Sequence, residues 1–273
     1  MYEDRVIAFI DILGFGSLVE SSADDFVIVQ SLVDALNQLQ PDKIQKQAFG
    51  SINYELIPKE NIVEVEEVFD RIAELMLKQH PIEVSYFSDS IVLSALSSDI
   101  LATQNMLELI AKINIILWEK HSLLLRGGIT FGKLLHLKNG PMFGPAMNRA
   151  YYLESQEAIY PRILIDSEFL DAYRKNESFN ILEPLFGHDD DTGYKYISLG
   201  SSYKYILNHS FIAGSMPPIT YEYSENFSNT SQKLKAILEN IKGQPFEEKY
   251  IWLISDVCKQ LEMTDLSRYK SEK

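Results

Sequence analysis

The chain has 273 residues, 46% of them hydrophobic and 11% aromatic, which is enough for one or two domains with a sizeable buried core. Its 39 Asp and Glu outweigh 25 Lys and Arg, and the resulting formal charge of −14 repels phosphate backbones and anionic lipid, excluding a general nucleic-acid or membrane-surface binder. A single cysteine, Cys258, excludes an intrachain disulfide and a cysteine metal knuckle; beside Val257 and Trp252 it reads as helix packing.

Residues 5–12 form an apolar run interrupted by Asp11 and bounded by Gly14 and Gly16, the pattern of a strand buried on both faces. The opening MYEDRVIAFIDILGF lacks the charged start of a signal peptide, and no stretch reaches 18 uninterrupted apolar residues, so a cytoplasmic location is expected. A helix is predicted over about 25–39, with Phe26, Val29, Leu32, Val33 and Leu36 packing inward and Pro41 closing it. Residues 41–61 show no period and contain Gly50 and Pro58, the marks of an insertion. A second helix, about 62–78, repeats the apolar spacing at Val65, Val68, Phe69, Ile72, Leu75 and Met76.

Residues 82–96 read as a β-hairpin turning at Ser88-Asp89-Ser90, with Asp89 at the tip. A helix over about 100–119 leads to a strand over 123–137, where Gly127, Gly128 and Gly132 let something approach the backbone closely. After an Asn139-Gly140 turn, Gly144 opens a short helix through Asn148, Tyr152 and Ser155. Residues 163–165 form a strand, Ser167 caps the next helix, and 194–198 is the last strand. The tail from about Asn229 is helical through Leu234, Ile237, Leu238 and Ile241; Gly243-Gln244-Pro245 breaks it before a final helix with Tyr250, Trp252, Leu253 and Val257. This order gives an α+β, ferredoxin-like split-βαβ palm with a central antiparallel hairpin and helices on one face. Residues 1–199 make the catalytic domain, and 200–273 a mostly helical extension packed on it.

Two carboxylates interrupt apolar strands, and burying one without a partner costs several kcal/mol, roughly. In such a palm the first strand lies beside the hairpin, so Asp11 and Asp89 meet at one sheet end, placed to hold two divalent cations about 3.5–4 Å apart. Oxygen ligands of this kind select Mg²⁺ or Mn²⁺ over zinc. The plainer alternative is that both are turn residues, Asp being a common turn former. Leu13, Gly14 and Phe15, turning from the strand into a helix, can aim N–H groups at a triphosphate, or simply make the turn. Asp189-Asp190-Asp191 before Thr192-Gly193 reads as an exposed turn, and the five histidines lack zinc spacing. Met142, Phe143 and Met147 read as core or interface positions.

Three ordered segments give the chain its resemblance to the class III nucleotidyl cyclases, the adenylate and guanylate cyclase superfamily. They are Phe9-Ile10-Asp11-Ile12-Leu13-Gly14-Phe15, Tyr86-Phe87-Ser88-Asp89-Ser90, and Arg126-Gly127-Gly128-Ile129-Thr130-Phe131-Gly132 followed by residues 144–155. Within that superfamily, IDILGF, RGGIT, Tyr160-Pro161-Arg162-Ile163 and Lys249-Tyr250-Ile251-Trp252-Leu253 are similar to the pyrimidine nucleotide cyclases of bacterial Pycsar anti-phage defence. The resemblance implies a class III cyclase core in which Asp11, Asp89 and the Ile12 carbonyl hold two Mg²⁺ or Mn²⁺ ions. The ribose 3′-oxygen then attacks the α-phosphate, and Asn148 orients the ribose. It also implies a homodimer with composite sites, and a cyclic product that reaches a downstream effector as a messenger without direct binding between the proteins.

The chain departs from the superfamily at four places. Tyr152 stands where a transition-state arginine is usual, four residues after Asn148; Arg149, preferred, Arg126 or Arg162 replaces it, or the metals carry more of the charge, and each of the three reads at least as well as a structural arginine. The two base-reading positions are Ser85 and Pro141 in place of the purine-reading residues, which favours a smaller base. Asp11 and Asp89 are 78 residues apart, a wider gap than usual. The triphosphate lysine has only Lys195 as a candidate. The expectation is a cyclase making cCMP from CTP or cUMP from UTP, with no choice between the two. A purine cyclase, a catalytically silent nucleotide-binding module and an oligonucleotide-making palm remain as alternatives.

Overall fold

The computed structural model describes residues 1–48, 57–209, 230, 232–234, 236–237, 239–244 and 246–261. Strand β1 (Glu3–Ile12) is the buried run, with Val6 to Ile10 at 4% exposure or less. It is the inner strand of an eight-stranded sheet, flanked antiparallel by β3 (Ser90–Leu96) and β4 (Leu125–His136). The hairpin partner β2 (Ile82–Phe87) pairs β3 and forms one sheet edge. Beyond β4 the sheet continues through parallel β6 (Arg162–Ile165), then antiparallel β8 (Lys195–Ser198) and the edge strand β7 (Gly187–His188). The short β5 (Met142–Phe143) pairs only with the end of β4. The order β2-β3-β1-β4 is the α+β split-βαβ arrangement expected of the sequence.

Strand alternation divides the core. Val6, Ala8, Ile10 and Ile12 face α5 (Ile100–His121) in the main cluster. Ile7 and Phe9 face the other way, joining Val92 and Leu134 under Ala146 and Ala150 of α6 (Pro145–Tyr152). Helices therefore cover both faces, where one was expected. The second cover depends on Gly128: a Cβ there would lie 2.4 Å from Leu153 Cβ and 2.6 Å from the Ala150 carbonyl. What approaches that glycine strand is the chain's own helix.

Helix α5 is long and apolar enough to cross a membrane, but it is the central core helix here, with Ala102 through Trp118 largely buried. Helix α8 (Leu199–His209), which follows β8 directly, and α9 (Glu247–Gln260) contribute Tyr203, Ile206, Leu253 and Val257 to the same cluster. Leu234 and Ile241 are buried, whereas Asn229, Leu238 and Pro245 lie outside the described residues.

Several local expectations are corrected. Asp25 caps α2 (Phe26–Gln38) by accepting the Val27 and Ile28 N–H groups. Only Leu32 and Ala35 of that helix are buried, while Phe26 is 77% exposed and Val29 and Val33 are also exposed. Helix α4 (Ile62–Gln79) likewise leaves Val68, Ile72 and Leu75 exposed. Periodicity fixes a stripe, not what meets it. Pro41 opens helix α3 (Pro41–Gln47) as its first residue, a position where the missing N–H costs nothing, so part of the expected insertion is helical; residues 49–56 lie outside the described residues. Helix α1 (Phe15–Ser21) is the helix into which the 13–15 turn leads, and it ends before α2 begins. Asp166, not Ser167, occupies the cap of α7 (Ser167–Tyr173).

Candidate functional site

The β1–β3 register puts Asp11 opposite Ser90, the residue after Asp89, and the Ile12 N–H donates to the Asp89 carbonyl at 3.2 Å. The hairpin turn that carries Asp89 places Ser88 in the left-handed region, at φ 54°. Two carboxylates 78 residues apart thus share one end of the sheet. Ser90 Oγ donates to Asp11 Oδ1 at 3.2 Å. On the other side Arg126, opposite Asp11 in β4, brings Nε to 3.4 Å from Asp11 Oδ2.

A third acid was missed in the sequence. Glu154, 3% exposed in the π-helical turn after α6, lies 2.7 Å from Arg126 Nε, an ionic contact without hydrogen-bond alignment. Burial raises the Asp11 pKa, and the charge of Asp89 raises it further; Arg126 and Ser90 pull it back only in part. Burial raises Glu154 too, with Arg126 opposing and the two aspartates adding. Arg126 contacts Asp11 and Glu154, and the charge of Asp89 acts on both, so carboxyls outnumber cations at a partly buried point. Among the described residues no group of three or more His, Cys, Asp or Glu is arranged to hold a metal ion. Asp11 and Asp89 are hard oxygen donors of the kind that suits Mg²⁺ or Mn²⁺, and two such donors would leave most of an ion's shell to phosphate and water.

The turn after β1 is partly committed. The Leu13 N–H donates to the Leu124 carbonyl at 2.8 Å, so Leu13 does not offer the phosphate donor expected of it. Gly14, left-handed at φ 79°, precedes α1 and leaves Phe15 in the first turn, where N–H groups have no intrahelical acceptor. Asn148 is exposed on α6, and its backbone N–H donates to the Gly144 carbonyl at 3.3 Å.

None of the arginine candidates other than Arg126 reaches the carboxylate pair. Arg149 is held in a two-pronged pair by Asp166, both contacts 2.9 Å, and lies over the Tyr152 ring. Thr130 Oγ1 donates to the same carboxylate at 2.8 Å. Burial alone would raise the Asp166 pKa, but the Arg149 and Thr130 hydrogen bonds outweigh it and the net shift is downward. Thr130 lies four residues along β4 from Arg126, roughly 13 Å at the usual strand rise. Arg162, 4% exposed, pairs with Asp189 within a cage of Tyr160, Tyr196 and Trp252. The expected triphosphate lysine, Lys195, is paired with Glu183. Tyr152 is exposed, and its hydroxyl donates to Glu157 at 3.1 Å.

The base-reading candidates fall around the far end of β4. Pro141 is exposed, its carbonyl accepting the Leu137 N–H, and it has no side-chain hydrogen-bonding group. Ser85 is half-buried on β2, with its hydroxyl 2.8 Å from His136 Nε2. His136 carried no sequence signal, because β4 and β2 are separated by two strands, and only the run of β4 past the start of β1 carries the imidazole over β3 to Ser85.

No family model matches the chain, and no curated protein does. Among solved structures it is similar to the monomeric guanylyl cyclase domain of the RhoGC fusion protein from the aquatic fungus Blastocladiella emersonii, at 14% identity over 72% of this chain and 95% of that one, TM-score 0.40. It is similar to a bacterial light-regulated adenylyl cyclase at 15% identity over 75% and 97%, TM-score 0.34. It is also similar to the catalytic core of a rhodopsin-guanylyl cyclase with converted specificity in complex with ATPαS, at 14% identity over 72% and 96%, TM-score 0.37. Superposition this loose leaves the chemistry to the chain's own residues.

Proposed function

We propose that the protein is a nucleotidyl cyclase that converts a pyrimidine nucleoside triphosphate, CTP or UTP, to its 3′,5′-cyclic monophosphate and pyrophosphate. The observation that carries this reading is the meeting of Asp11 and Asp89 at one sheet end, with surplus negative charge that a divalent cation would relieve. Asp11, Asp89 and the Ile12 carbonyl would hold Mg²⁺ or Mn²⁺, which when bound supplies charge neutralisation at the phosphates and acidifies the 3′-hydroxyl. The 3′-oxygen bonds to the α-phosphorus as the bridge to the β-phosphate breaks, releasing pyrophosphate and one proton.

The protein's share is positioning and fixed charge. Asn148, with its side-chain amide exposed, orients the ribose, and the Gly14 and Phe15 N–H groups meet phosphate oxygens. Arg126 balances the carboxylate end, while Arg149, the earlier candidate for the missing cation, fastens α6 to Asp166. Ser85 and Pro141 present a small base-reading edge. Following the resemblance, two protomers build each site, and the cyclic product serves as a messenger in antiviral defence.

Offering ATP, GTP, CTP and UTP with Mn²⁺ and identifying products by mass spectrometry tests this. A cyclic pyrimidine monophosphate with stoichiometric pyrophosphate is the expected result, and linear oligonucleotides would contradict it. A second reading, a nucleotide-binding module without turnover, is favoured by the capture of Arg149 by Asp166 and by Tyr152 at the cation position; it predicts calorimetric binding with no pyrophosphate.

A further inference from the structure

Four side chains form one directed hydrogen-bond chain on the sheet face that carries Asp11. Arg5 Nε donates to Ser94 Oγ at 3.0 Å, Ser94 Oγ lies 2.8 Å from His136 Nδ1, and His136 Nε2 lies 2.8 Å from Ser85 Oγ. Arginine can only donate, so the direction is set at its first member. Ser94 is 0% exposed, and His136 Nδ1 is the one acceptor its hydroxyl hydrogen meets among the described residues. Were Nδ1 protonated instead, that hydrogen would be buried without a partner, at a cost that settles the tautomer. Burial, with the Arg5 charge adding, lowers the His136 pKa to about 4, so the ring is neutral near pH 7. Nε2 therefore carries the hydrogen and donates it to Ser85. The half-buried Ser85 then accepts from His136, which leaves its own O–H to donate elsewhere.

We propose that His136 fixes Ser85 as an outward hydrogen-bond donor, so that the base-reading edge prefers a carbonyl over an exocyclic amine and the chain prefers UTP to CTP. This rests on the cyclase reading for the placement of Ser85 at the base. His136 acts through Ser85 and is a positioning residue. It needs no contact with the nucleotide. The preference expected from one such hydrogen bond is about tenfold in kcat/KM.

Two measurements test it. Long-range ¹H–¹⁵N correlation spectra of the intact protein should show His136 as the Nε2–H tautomer with no titration between pH 5.5 and 8, and an Nδ1–H ring overturns the proposal whatever the enzyme does. Competing UTP against CTP should give UTP about tenfold the kcat/KM, and both Ser85→Ala and His136→Phe should bring that ratio toward one. CTP favoured over UTP, or a ratio unmoved in Ser85→Ala, overturns it. GTP favoured over ATP without pyrimidine turnover would end the pyrimidine reading yet support the donor assignment, and ATP favoured over GTP would end both. If no triphosphate is cyclised the cyclase reading falls, and calorimetric affinities for UTP and CTP then decide the donor question by the same ratio.

Discussion

Arg126 stands opposite Asp11 across the β1–β4 ladder and divides itself between two acids, 3.4 Å from Asp11 and 2.7 Å from Glu154. Its charge holds the Asp11 pKa below where burial and Asp89 would otherwise put it. Arg126→Gln should therefore raise the Asp11 pKa further. Divalent-cation affinity, followed by Mn²⁺ electron paramagnetic resonance, should then fail on acidification at a higher pH than in the parent protein. An unchanged midpoint would dissociate Arg126 from Asp11.

Asp11→Asn should separate function from stability. A carboxyl with a raised pKa binds its proton more tightly folded than unfolded, so its contribution to stability is lost as pH rises from the ordinary Asp value through the raised one. At pH 7 and without divalent ions the charged Asp11 is a burden that Asn removes, so the variant should melt higher than the parent. Turnover should drop by about a hundredfold or more. Asp89→Asn should lose turnover in the same way.

Asp166 contributes with the opposite sign. Its pKa is lowered, so its stabilisation is present above the ordinary Asp value and disappears as pH falls through the lowered one. Asp166→Ala strips the acceptor from Thr130, which is fully buried, and from Arg149, which can regain water at 40% side-chain exposure. A loss of about 2–4 kcal/mol is expected from urea melts at pH 7. The difference between variant and parent should shrink in melts below pH 4.

Gly128→Ala probes the seat of α6. Its new Cβ would meet Leu153 Cβ and the Ala150 carbonyl, neither able to swing aside, so a cost of about 2–3 kcal/mol in denaturant unfolding is expected. A neutral result would mean that α6 does not pack on β4 as described.

Much of this was legible in the sequence because apolar runs and turn chemistry are local. β1, the hairpin around Asp89 and the glycines of β4 stand where the residues put them, and the sheet order brings Asp11 beside the hairpin. What escaped depends on partners far away along the chain. Phe26 and Val29 have helical spacing, yet nothing in that spacing says whether a sheet meets them. Arg149 looks like a free cation until β6 delivers Asp166 beneath it. Glu154 and His136 are unremarkable in the sequence, and only the π-helical turn and the overrun of β4 bring them to Arg126 and Ser85.

The sharpest check is a Mn²⁺ titration of the full chain with a non-hydrolysable nucleotide present, followed by electron paramagnetic resonance and repeated on Asp11→Asn and Asp89→Asn. Saturable binding that weakens at least tenfold in each single variant is the predicted result. Equal affinity in all three proteins would mean that the two carboxylates do not share an ion.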